Sequence, residues 1–75
     1  RPDYVDALNN LGKALLAQGD AEGAASQFTH ILYVDPDDAD AHAYLGSANV
    51  MLGKLDEAVK EFQAALRLLD LEPGA

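Results

Sequence analysis

The chain repeats itself at an offset of 34 residues, and that repetition restricts what it can fold into more than any other feature. Shifted by this distance, Pro2-Asp3, Asp6-Ala7, Leu11-Gly12, Ala14, Gly19, Ala24, Phe28 and Leu32 fall on Pro36-Asp37, Asp40-Ala41, Leu45-Gly46, Ala48, Gly53, Ala58, Phe62 and Leu66. A period between about 20 and 50 residues is the mark of a repeat architecture, in which one supersecondary unit stacks on the next. Such units build extended binding surfaces rather than reaction centres.

Within each unit the apolar residues recur at helical spacing. Tyr4, Ala7, Leu8, Leu11, Ala14 and Leu15 form one stripe, and Ala21, Ala24, Ala25, Phe28, Ile31 and Leu32 form the next. Between them, Gly19 offers the left-handed residue that commonly follows a helix, and Asp20 offers an acceptor for the free N–H groups of the helix after it. Asp35-Pro36 ends the second helix, because proline lacks an N–H and forces its predecessor out of helical geometry. The cycle restarts at Asp38, an N-cap candidate, and Gly53 divides the third and fourth helices. The pattern predicts four helices near 4–18, 21–34, 39–52 and 55–71, making an all-α fold of two helix-turn-helix hairpins in a solenoid.

Gly12 and Gly46 interrupt helices at equivalent places, where glycine costs about 1 kcal/mol relative to alanine. The expected compensation is a close approach of two helix backbones, aided by the small residues Ala24 and Ala58 on the facing helix. Each hairpin also holds half of a capping box, in which an N-cap acid and an acid three residues later satisfy two N–H groups reciprocally. The first has Asp20 but Gly23; the second has Glu57 but Lys54.

The spacing of these residues resembles the tetratricopeptide repeat over nearly the whole chain. Counted from Val5, the family's typical places hold Leu8, Leu11-Gly12, Leu15, Ala24, Phe28, Ile31 and Pro36; counted from Ala39, they hold His42, Leu45-Gly46, Asn49, Ala58, Phe62 and Ala65. The resemblance implies one domain over 1–75, with repeat one at 5–38, repeat two at 39–72, and residues 1–4 as the tail of a preceding repeat or an N-capping segment. His42 and Asn49 replace places usually aromatic, which implies a more polar seam in the second hairpin. The closing proline is displaced to Pro73, which lengthens the fourth helix and reads as the C-terminal side of an array.

The resemblance further implies a protein-protein interaction module, with one face of each first helix lining a concave groove. Asn9, Lys13, Leu16, Tyr44, Ser47, Val50 and Met51 are the partner-binding candidates, with Asp6, Asn10, Asp40 and Ala43 beside them. Repeats that clamp a chaperone's C-terminal carboxylate typically carry Lys and then Asn at the fifth and ninth places of a first repeat and Asn at the sixth of the next. Here Asn9 and Lys13 stand in the reverse order and Tyr44 occupies the later place, which disfavours that subfamily. The alternatives are self-association or a spacer role through Leu55, Val59, Leu66, Leu69 and Leu71 on the fourth helix, for instance as a homodimer, or a non-catalytic regulatory segment of a larger enzyme.

Composition sets the chemistry aside. Thirteen acidic residues against five basic ones give a net charge of −8, which repels phosphate backbones and argues against nucleic acid. Polar residues interrupt the apolar ones too often for a membrane-inserted span. Without cysteine there is no thiolate nucleophile or zinc-thiolate set. His30 and His42 lack the i, i+4 spacing of a metal pair, and Asp35, Asp37, Asp38 and Asp40 fail the calcium-loop pattern, because Asp40 takes the glycine place and Gly46 the closing glutamate place. No catalytic residues, metal or cofactor are expected.

Overall fold

The computed structural model describes residues 2–70 as four helices: α1 (Pro2–Ala17), α2 (Ala21–Val34), α3 (Ala39–Met51) and α4 (Leu55–Asp70). Among the described residues there is no strand. Three of the four helices match the sequence reading to within a residue at each end. α1 begins at Pro2, two residues early, where a proline sits without loss because the first helical N–H has no intrahelical partner. Pro2-Asp3 is thus helical, although its counterpart Pro36-Asp37 is a turn. Leu71, the last of the self-association candidates, and Pro73 lie outside the described residues.

Both hairpin turns follow one mechanism. Gly19 and Gly53 adopt φ of +85° and +78°, a region nearly closed to residues with a Cβ. That geometry lets Gly19 N–H donate to Leu16 O and Asp20 N–H to Leu15 O, while Gly53 and Lys54 do the same for Val50 O and Asn49 O. This double bond pattern is the Schellman motif, which satisfies carbonyls that a helix end leaves free. Asp20 then caps α2 by accepting from Gly23 N–H at 2.9 Å, and Asp38 caps α3 by accepting from Ala41 N–H at 3.0 Å.

A Cβ on Gly23 would stand 2.5 Å from Asp20 Oδ2. A capping box completed by glutamate at this place therefore requires the Asp20 carboxylate to turn. The absent acid is better understood as room for the cap that exists.

The core lies where α2 meets α1 and α3. Phe28 and Ile31 of α2 are fully buried, joined by Ala24, by Val5 of α1 and by Ala41, Leu45 and Ala48 of α3. α4 packs on α3 alone and buries only Ala58 and Ala65. Its remaining apolar residues stay in contact with solvent.

The mid-helix glycines correct one expectation. A Cβ at Gly12 would lie 2.6 Å from Phe28 Cζ, and one at Gly46 would lie 2.8 Å from Phe62 Cε1. It is an aromatic ring from the partner helix, not the helix backbone, that occupies the space. Glycine at 12 and 46 is the socket for phenylalanine at 28 and 62, and ring burial offsets the helical penalty.

Candidate functional site

α1 and α3 touch over a small contact, and two of the residues expected to line a groove, Lys13 and Tyr44, come together there. Lys13 Nζ stands 5.7 Å from the centre of the Tyr44 ring, within range of a cation–π attraction. The Tyr44 ring in turn stacks on Phe28, with centroids 5.3 Å apart and planes 15° from parallel. Since Phe28 fills the Gly12 socket, a continuous column runs from the core to the surface: Gly12, Phe28, Tyr44, Lys13.

The other candidates differ in how they are held. Asn9, one helical turn before Lys13, is half-buried, and its Oδ1 is inaccessible and accepts no hydrogen bond from the described residues. Leu16 is half-buried against the core, Ser47 is half-buried, and Val50 and Met51 are exposed at the far end of α3. The structure therefore joins Lys13 to Tyr44 directly. Two surface depressions lie elsewhere, one against Gln63, Leu66, Arg67, Leu69 and Asp70, the other between the Pro36 turn, His42 and the end of α4.

Polar residues that the sequence left unpaired find local uses. His42 Nδ1 lies 2.7 Å from Glu61 Oε1 and its Nε2 lies 2.8 Å from Pro36 O, so one imidazole ties α3 to α4 and to the turn between the hairpins. Burial lowers the pKa of His42, but the Glu61 hydrogen bond, the bond to the Pro36 carbonyl and the negative charges of Glu61 and Asp38 outweigh it and leave the pKa raised. His30 Nε2 pairs with Tyr4 OH at 2.8 Å, a link between α1 and α2 that sequence reasoning missed. Asp35 Oδ1 accepts from Asp37 N–H at 3.3 Å and Asp38 caps α3, so these acids serve turn and cap. Among the described residues no group of three or more potential ligands is placed to hold a metal ion.

Two α-hairpins with Schellman turns, joined by a proline turn and packed through the face of α2, define a segment of a helical-repeat solenoid. A family model described as Tetratricopeptide repeat matches residues 1–33 and again residues 9–73, and the chain belongs to the tetratricopeptide repeat family. None of the curated proteins compared with it matches. Repeats of this family are in general non-catalytic protein-interaction modules. No described helix is long and apolar enough to cross a membrane.

Proposed function

We propose that the chain binds an extended or helical segment of a partner protein along the α1–α3 face, with Asn9, Lys13, Tyr44 and Ser47 as the polar contacts and Leu16, Val50 and Met51 as the apolar ones. The column from Gly12 to Lys13 carries this reading. A half-buried ring stacked on the core and overlaid by an ammonium group is a rigid platform with a polar rim, the composition from which binding hot spots are built. Asn9 adds to it. A buried amide oxygen without a donor costs about 1–3 kcal/mol, and a side chain that turns to meet a backbone N–H of an incoming peptide recovers that cost.

Two repeats present a short surface, so affinity for a single peptide is expected to be about micromolar or weaker. A peptide-display screen on the folded chain tests the reading, with Lys13→Ala, Met51→Ala and Asn9→Leu as controls. Binders should weaken about tenfold or more with Lys13→Ala. Asn9→Leu should weaken binding while raising thermal stability, because it removes the unpaired acceptor. Hits indifferent to all three substitutions would place the binding surface elsewhere.

A second reading, self-association, is favoured by a separate observation. Leu55, Val59, Leu66 and Leu69 of α4 are each more than half exposed, an uncovered apolar strip on a small domain.

A further inference from the structure

The self-association reading leaves open which surface covers α4, and the internal repetition answers it. α2 is covered by α3, through Ala24 and Phe28 on one side and Ala41, Leu45 and Ala48 on the other, all buried in the core, with Leu32 packed at its edge. Shifted by the 34-residue offset, the α2 side becomes Ala58, Phe62 and Leu66 of α4, and the α3 side becomes Ala7, Leu11 and Ala14 of α1. Every one of these six residues is identical to its counterpart. The chain therefore carries both halves of its own inter-hairpin contact a second time, one on each outer helix.

Ala58 is buried against its own hairpin, but the other five residues of these second halves are exposed within the molecule. Phe28 is fully buried but Phe62 is 37% exposed, and Leu45 is 9% exposed but Leu11 is 47% exposed. Ala7 and Ala14 are exposed, whereas Ala41 and Ala48 are fully buried. Because α1 and α4 are at opposite ends of the stack, the two halves cannot meet in one copy. They can meet between copies.

We propose that the outer face of α1 of one copy packs on the outer face of α4 of the next, a head-to-tail contact that repeats the α2–α3 interface. It rests on the self-association reading and specifies its geometry. A contact between two different patches does not close on itself after two subunits, so it grows into an open series along the solenoid axis. A pairing of two α4 helices stops at a dimer. The contact between copies is weaker than the internal one at two places, where Ile31 is matched by Ala65 and Tyr44 by Asn10, and each removes packed apolar volume. Repulsion between copies of net charge −8 opposes it as well, and salt at about 0.15 M limits the range of that repulsion to about 8 Å.

Sedimentation velocity of the folded chain from about 10 μM to 1 mM, at about 0.15 M salt, tests this. Wild type should show a weight-average mass that rises with concentration past that of a dimer. Leu11→Glu spoils only the α1 face and Leu66→Glu only the α4 face; each alone should remain monomeric, shifting association to at least about tenfold higher concentration. An equimolar mixture should recover a heterodimer and stop there, since one variant keeps a sound α4 face and the other a sound α1 face. Ala14→Glu repeats the α1 arm if Leu11→Glu loses its circular-dichroism signature.

Dimerisation retained by both α1 variants, with no rescue on mixing, would overturn the head-to-tail contact and establish pairing through α4. A chain that stays monomeric to 1 mM would overturn self-association itself.

Discussion

The same substitution at two equivalent glycines should have different consequences, because the rings that fill the two sockets differ in freedom. Alanine is worth about 1 kcal/mol more than glycine inside a helix, so Gly12→Ala and Gly46→Ala start with the same gain. At position 12 the new Cβ would meet Phe28 Cζ at 2.6 Å and Cε2 at 2.9 Å, about 1 Å inside the usual carbon contact of about 3.5–4.0 Å. Phe28 is fully buried and stacked on Tyr44, so the ring has no free direction in which to retreat. Overpacking of this kind costs about 1–3 kcal/mol, and the tight contact places it in the upper half of that range. Gly12→Ala should lose about 1–2 kcal/mol net.

At position 46 the contacts with Phe62 are 2.8 Å, 2.9 Å and 3.0 Å, and the ring is 37% exposed. It can slide toward solvent at a cost of about 1 kcal/mol, which the helical gain offsets. Gly46→Ala should be nearly neutral. Urea titration followed at 222 nm measures both, and in a domain of this size each kcal/mol moves the melting temperature by about 4–8 °C. Phe28→Leu should relieve part of the Gly12→Ala loss in the double variant, since the two residues share one space. Equal effects at the two glycines, or a stabilised Gly12→Ala, would refute the socket account.

His42 makes stability depend on pH. Both of its partners, Glu61 Oε1 and Pro36 O, are acceptors, so only the doubly protonated ring donates to both. A folded pKa above the unfolded value of about 6.5 means that the stabilisation is fully present below that value and is lost as pH rises through the folded pKa. The melting temperature should fall as pH rises from about 6 to 8.5, and His42→Gln should flatten the fall; an NMR titration of His42 at or below the unperturbed value would contradict this. The caps give the last prediction. Lys54 opens α4 with no acceptor, and a cation at a helix N-terminus is unfavourable, so Lys54→Asp, which completes a box with Glu57, should add about 0.5–1 kcal/mol. Gly23→Glu should add less, because it displaces the Asp20 carboxylate. Paired thermal melts in which Gly23→Glu gains more than Lys54→Asp would reverse the reasoning.

The helices and turns were readable because each depends on residues within a few places of one another. Gly19, Asp20, Gly53 and Asp38 act through bonds spanning three to five residues, and their positions alone place the turns. Contacts between helices were less so. The glycine at 12 signals that something comes close, but whether that is backbone or a ring depends on the rotation of α2, which periodicity leaves undetermined to within a residue. The His42–Glu61 pair did leave a trace. In the first hairpin the same two places hold Leu8 and Gln27, so the repetition breaks at both ends of the bond together. The tie between Tyr4 and His30 left the same kind of trace, since the equivalent places hold Asp38 and Ala64. Of the groove candidates, the family resemblance grouped Lys13 and Tyr44 on one expected face, and the structure brings them together; the resemblance carried no sign that Asn9 Oδ1 would be enclosed without a donor.

Tyr44 belongs to two parts of the molecule at once, its ring stacked on Phe28 and also overlaid by the Lys13 ammonium. A change of side chain at 44 made to retune recognition therefore also reshapes the packing around the largest buried residue. Diversification of this surface is cheapest at Ser47, Val50 and Met51, where the side chains carry little of the core, and most constrained at the ring in its middle. Specificity can drift along the rim of α3 while the aromatic platform stays fixed, a division of labour that would be visible as unequal tolerance in a saturation library read first for folding and then for binding.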